Sequence, residues 1–151
     1  MVSSEDASSG VALVEAYDIS ATANSTLANI STRGAVGLND DVLIGGFIVG
    51  GTSSAKVIVR AIGPSLANFG VTSELRDPTL TVFDHNGNAV GTNDNWPEDL
   101  NAATIQSYGL APTNTKESAT YLQLAPSNYT AIVRGIANAT GTGLVEIYNV
   151  P

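Results

Sequence analysis

Thr79-Leu80-Thr81-Val82-Phe83-Asp84-His85-Asn86-Gly87-Asn88-Ala89-Val90-Gly91-Thr92 is the stretch that decides the fold. β-branched and aromatic residues alternate along 79–83, which is what a pleated, half-buried surface selects. Asn86-Gly87 then tolerates positive φ, so 84–88 reads as a hairpin connection between strands 79–84 and 89–92. Similar runs recur on both sides, cut by Gly, Pro, Asn, Asp and Ser clusters. They fall at 11–19, 27–32, 42–49, 56–62, 119–124, 129–135 and 143–150. Only 97–108 looks helical. Pro97 suits a first helical position, Glu98 and Asp99 suit the positive end of the helix dipole, and Leu100, Thr104, Ile105 and Tyr108 form an inner stripe. About nine strands and one short helix predict an all-β fold, an antiparallel β-sandwich of jelly-roll-like form.

Composition narrows the function. The chain has 151 residues, enough for one core and too few for two. Charged residues are only 13%, while Ser, Thr and Asn number 42. Mean hydropathy is slightly positive. A charge-rich disordered segment and a Lys/Glu-rich bundle are excluded. The net charge of −8 repels phosphate backbones and anionic lipid, so nucleic acid is not an expected partner. There is no cysteine, which removes disulfides, thiolate metal sites and Cys nucleophiles. No run reaches the roughly 18–20 apolar residues of a membrane span, and 42–49 is interrupted by Gly45-Gly46. Residues 1–10 carry neither the basic nor the apolar region of a secretion signal. Low charge with abundant Thr, Asn and Gly nevertheless suits an extracellular or cell-surface setting.

The chain also echoes itself. Gly10-Val-Ala-Leu-Val-Glu-Ala-Tyr-Asp-Ile19 matches Gly141-Thr-Gly-Leu-Val-Glu-Ile-Tyr-Asn-Val150 at a constant offset of 131. Gly, Leu, Val, Glu and Tyr are identical. Either two strands coincide by chance, or 131 residues is the period of a tandem array.

The whole chain resembles a repeat module of large secreted or surface proteins of Verrucomicrobia-like bacteria. The matching stretches are Leu27-Ala-Asn-Ile-Ser-Thr-Arg-Gly34, Val42-Leu-Ile-Gly-Gly-Phe-Ile-Val-Gly50, Val59-Arg-Ala-Ile-Gly-Pro-Ser-Leu66 and Asp77-Pro-Thr-Leu80. They continue through Asn93-Asp-Asn-Trp96, Gly109-Leu-Ala-Pro-Thr113 and Tyr129-Thr-Ala-Ile-Val-Arg-Gly135 to Leu144-Val-Glu-Ile-Tyr148. Residues 77–150 more loosely resemble the bacterial pre-peptidase C-terminal β-sandwich. These resemblances imply an extracellular β-module without catalytic residues, and so carry no active site onto this chain.

The chemistry-bearing residues are few. A Ser-His-Asp triad would have to use His85, the only histidine, which the hairpin turn already explains. Asp94, Glu98 and Asp99 offer paired carboxylates for glycoside hydrolysis, but acids at a helix start have a sufficient structural reason. Calcium is the more plausible use of the acids. Asp77, Asp84, Asn86, Asn88, Asn93, Asp94 and Asn95 lie in loops that could converge at one end of a sandwich and supply the oxygens calcium takes. Their spacing is not that of an EF-hand, and such residues also favour turns.

Trp96, the only tryptophan, is a candidate sugar platform or simply a rim anchor of the core. Arg33, Arg60 and Arg134 fall inside strand-like runs. They form an anion-binding face or, on the stronger reading, pair with acids such as Asp18, Asp77 or Glu146. Glycosylation acceptor patterns at Asn24, Asn29, Asn128 and Asn138 arise freely in so Asn- and Thr-rich a chain.

The expectation is therefore a β-sandwich domain over 20–151, preceded by an extension, 1–19, that duplicates the closing strand. A non-enzymatic extracellular structural or adhesive module comes first. A carbohydrate- or surface-polymer-binding module using the Asp/Asn loops and Trp96 is the alternative, and an enzyme is disfavoured. If Leu144, Val145, Ile147 and Tyr148 complete the domain's own sheet, then Leu13, Val14, Tyr17 and Ile19 form a second copy with no home in it. That copy would be donated to an identical subunit, making a homo-oligomer or homopolymer.

Overall fold

Asp84 organises the decisive hairpin. In the computed structural model, which describes residues 10–16 and 28–151, its Oδ1 accepts the N–H groups of Asn86 at 2.8 Å and Asn88 at 2.9 Å. Its Oδ2 accepts Asn88 Nδ2 at 3.0 Å. Of the Asn-Gly pair only Gly87 takes a positive φ, +81°, so the connection is an Asx-braced loop rather than a two-residue turn. It joins β4 (Pro78–Phe83) to β5 (Ala89–Asn93).

The remaining strands nest around this tip. β3 (Ala55–Ile62) pairs with β6 (Ser118–Leu124), β2 (Leu43–Val49) with β7 (Ser127–Gly135), and β1 (Asn29–Val36) with β8 (Gly141–Val150). All are antiparallel. The result is a long ribbon folded at β4–β5 and rolled up, closed by the further pairs β3·β8 and β4·β7. Its two four-stranded sheets run β1-β8-β3-β6 and β2-β7-β4-β5. This is jelly-roll order, as the hairpin and strand spacing predicted.

The described residues form eight strands, not about nine. Residues 11–16 lie outside both sheets, with Val11, Leu13 and Val14 exposed. Tyr17 and Ile19 lie outside the described residues.

Period-two burial fills the space between the sheets. β2 alternates buried Leu43, Gly45, Phe47 and Val49 with exposed Ile44, Gly46 and Ile48, and β4 buries Pro78, Leu80 and Val82. β3 differs, because both of its faces are covered. Val57, Val59 and Ala61 face the main core, while Ile58 enters a second small cluster with Ile105, Ala119 and Val150.

That second cluster sits under the segment predicted as one helix. The helix is broken in two, a 3₁₀ turn (Trp96–Glu98) and α1 (Ala102–Ser107), with Asp99 extended between them. Asp99 Oδ1 accepts the N–H of Asn101 at 2.8 Å, a local bond that competes with helical pairing. Leu100 consequently points to solvent rather than joining Ile105 inside. No helix among the described residues is long and apolar enough to cross a membrane.

Candidate functional site

The seven calcium candidates do not come together. Asp77 precedes β4 and Asp84 follows it, so the strand holds them roughly 20 Å apart. Asp84, Asn86 and Asn88 stay at the hairpin tip, where hydrogen bonds hold the Asp84 carboxyl below its ordinary value. The side chain of Asn88 contributes most to that shift. Asp77, Asn93 and Asp94 gather at the other end. Asn93 is already committed there, its Oδ1 accepting Ala119 N–H at 2.9 Å and its Nδ2 donating to Asn95 O at 3.1 Å.

The Asp77–Asp94 end is the more strained electrostatically. Burial first, then the charges of Asp77 and Glu98, push the Asp94 carboxyl above its ordinary value, while Lys116 opposes the shift. One oxygen of each aspartate, Oδ1 in both, is buried without a hydrogen-bond partner. Asp77 Oδ2 takes Lys116 Nζ at 3.0 Å. Asn95 Nδ2 lies between Asp94 Oδ2 at 3.4 Å and Glu98 Oε1 at 3.5 Å. Among the described residues, no group of three or more His, Cys, Asp or Glu is placed to hold a metal.

Two shallow hollows adjoin this end. One, of about 390 Å³, is lined by Thr79, Thr81, Asn93, Asp94 and Glu98 among others. The second, of about 250 Å³, runs between β5 and β6 past Asn93, Asp99, Leu100, Asn101 and Tyr121. Trp96 lines neither. It is partly buried against the second small cluster with its indole N–H unpaired, so it anchors the rim rather than offering a face.

The lone histidine braces the fold. His85 Nδ1 lies 3.0 Å from Ser127 Oγ, linking the hairpin tip to the start of β7. Asp84, the only neighbour that would complete a triad, spends its carboxylate on the turn.

Arg60 follows the structural reading. From β3 it donates through Nε to Glu146 Oε2 at 3.1 Å, and its Nη2 reaches the same oxygen. Nη1 donates to Leu110 O at 2.8 Å, and Tyr148 Oη lies 3.1 Å from Nη2. Tyr148 in turn donates to Glu146 Oε1 at 2.9 Å. Burial raises the Tyr148 hydroxyl above its ordinary value, with the Glu146 hydrogen bond adding to it. Arg33 and Arg134 are exposed. Asp77 and Glu146 both take cations, from Lys116 and Arg60 respectively.

Glu117 is the polar residue that sequence reasoning missed. It is wholly buried, yet accepts Gly63 N–H at 3.1 Å, Ser65 N–H at 2.9 Å, the Ser65 hydroxyl and, through Oε2, Asn114 N–H at 3.3 Å. It pins the Gly63-Pro64-Ser65 turn to the loop before β6.

The echo gains a structural meaning from β8. Glu146 and Tyr148, the residues Arg60 clamps, correspond to Glu15 and Tyr17, and Val145 and Ile147, both in the main core, correspond to Val14 and Ala16.

No family model matches the chain, and no curated protein matches it. Among solved structures it is similar to the pre-peptidase C-terminal domain of a collagenase from Bacillus anthracis. Identity is 13%, the match covers 80% of this chain and 89% of that one, and the TM-score is 0.49.

Proposed function

We propose that this chain is a non-catalytic extracellular β-sandwich module with a structural or adhesive role, whose copies associate by donating residues 11–19 to a neighbour. The observation that carries this reading is the echo, set against the place of β8. A strand of this sequence is central in the sheet, and its second copy begins as an exposed segment outside both sheets. Burying Leu13, Val14, Tyr17 and Ile19 completely would offer at most roughly 6–12 kcal/mol gross, at about 1.5–3 kcal/mol each, and a strand added at a sheet edge gains only part of it. Association costs of about 4–15 kcal/mol oppose it, so backbone pairing along the strand must add to the gain. Donation from one copy to the next is a head-to-tail contact and yields rings or open filaments. Sedimentation and electron microscopy of the full chain test it: large assemblies are expected without ligand, and deletion of residues 1–19 disperses them. A monomeric full chain, or assemblies unchanged by the deletion, overturns the reading.

A second reading is glycan or surface-polymer binding at the β5–β6 hollow. There Tyr121 and Leu122 supply apolar surface beside Asn93, Asn101 and Asp99. A glycan array that gives the same hits for wild type and Tyr121→Ala, or none for either, overturns it.

A further inference from the structure

We infer that the acceptor for the donated segment is the rim formed by the open edge of β2 and the overhanging inner face of β1, and that its occupant is residues 11–19 of a second copy. The inference rests on the donation reading above and specifies where the strand goes.

The slot that β8 fills is the obvious candidate and the wrong one. β8 is paired on both sides, by β1 and by β3, and is locked by the Arg60–Glu146–Tyr148 network. A second copy of its sequence must therefore pair at an edge. Two of the four edges are spoken for. Along β5 and β6 the chain crosses between sheets: Asn93 caps Ala119 N–H, Ser118 Oγ bonds Asp94 O at 2.8 Å, and Leu122 packs against Gly91.

The β1–β2 rim differs. The inner face of β1 is covered unevenly. A methyl on Gly45 would touch Val145 and Ile147 of β8, both at 3.1 Å, so β2 stacks on β8 there, and Leu43 covers Gly34 of β1. The inward row of β1 is Ile30, Thr32, Gly34 and Val36, opposite Ile147, Val145, Gly143 and Gly141. Yet Thr32 is exposed and Ile30 only partly buried, while Val36 is fully covered. The inner face of β1 therefore projects past β2, where the second sheet has room for one more strand. Among the described residues the outer edge of β2 has no partner. It is seven residues long, carries no charge, and exposes Ile44 and Ile48. A flat, apolar, uncharged edge is the kind that recruits another strand.

Residues 11–19 match this rim on both faces. In β8 the equivalents of Val14 and Ala16 point inward and those of Leu13, Glu15 and Tyr17 point outward. Added beside β2 in the same sense, the small row Ala12, Val14, Ala16 covers Ile30 and Thr32. The large row Val11, Leu13, Tyr17, Ile19 extends the exposed Ile44–Ile48 strip.

The test places one charge inside the rim and the same charge outside it. Thr32→Lys puts an ammonium on the inner row of β1, and Ser31→Lys puts it on the opposite, solvent face of the same strand. Thr32→Lys is expected to raise the concentration needed for assembly of the full chain by about tenfold or more. Ser31→Lys should leave it within about twofold. The chain has no cysteine, so a second arm is clean: the Thr32→Cys chain is mixed with Ala12→Cys, Val14→Cys or Ala16→Cys chains under oxidation. A covalent dimer from at least one mixture, absent from each chain alone, supports the site. If the chain carrying both cysteines closes on itself as a monomer, its own N-terminal segment fills the rim and the inference is overturned. It is equally overturned if deletion of 1–19 disperses the assemblies while Thr32→Lys does not and no mixture cross-links; donation then stands with another acceptor. If the deletion itself changes nothing, donation falls instead.

Discussion

Glu146 on β8 holds the guanidinium of Arg60 on the adjacent β3, and the ring of Tyr148, two residues along β8, lies 5.0 Å under it. Both charged side chains are largely sheltered, at 16% and 11% exposure. The pair therefore helps fix β8 in its register between β1 and β3.

Removing one partner leaves the other charge sheltered and alone. Arg60→Met is expected to cost about 3 kcal/mol in chemical denaturation, and Arg60→Met with Glu146→Leu to recover much of that loss. Tyr148→Phe, which removes the hydroxyl's bonds to both Arg60 and Glu146, should cost about 1–2 kcal/mol. A double variant no more stable than Arg60→Met alone would show that the ion pair is not what the single change breaks.

Glu117 makes a sharper demand, because its carboxylate is wholly buried and serves donors from two separate loops. Glu117→Ala strands the N–H groups of Gly63, Ser65 and Asn114 and should destabilise by about 3 kcal/mol or more. Ser65→Ala, which keeps all three backbone donors satisfied, should cost about 1 kcal/mol. Equal losses for the two variants would mean that the hydroxyl, not the backbone, is what Glu117 organises.

The hairpin, the strand count to within one, and the jelly-roll-like sandwich class were legible because alternation and an Asx-Gly turn are local signals. The particular nesting of β1 on β8 and β2 on β7 was not, since pairings across 78 to 119 residues leave no local trace. The broken helix escaped notice because Pro97, Glu98 and Asp99 are good starters, and only the Asp99–Asn101 bond reveals the restart. Convergence of the calcium candidates failed on geometry already implicit in the strand reading, since Asp77 and Asp84 flank one extended strand. Glu146 was among the acids proposed for the arginines. Glu117 looked like any loop acid, for its burial depends on two loops meeting over it.

Gly63 tests how tightly that meeting is packed. A methyl there would lie 2.0 Å from the Leu75 carbonyl oxygen, a backbone atom that cannot swing aside. Gly63→Ala should therefore cost about 3 kcal/mol, whereas Gly46→Ala, with open space around the added carbon, should be near neutral. Comparable midpoints for the two variants would refute the close approach.

The two ends of β4 should respond to pH in opposite senses. Asp94 has its folded pKa raised, chiefly by burial and then by Asp77 and Glu98, so the fold disfavours its charge. The stability it allows is fully present below the ordinary carboxylate pKa and is lost as pH rises through the raised folded value. Asp94→Asn should accordingly raise the midpoint at pH 7, with the gain shrinking as pH falls toward about 3. Asp84 is the reverse: its folded pKa is lowered by the bonds from Asn88 and Asn86, so its contribution exists above the ordinary value and fades as pH falls through the lowered one. Asp84→Asn should thus lower the midpoint at pH 7 and matter less in acid. Excess calcium compared with excess chelator separates a cation from a proton at the Asp94 end, because a bound cation raises the wild-type midpoint at pH 7 and leaves Asp94→Asn unmoved. If Asp94→Asn lowers stability at pH 7 by as much as Asp84→Asn does, the Asp94 carboxylate is paired in solution and the electrostatic account of that end is wrong.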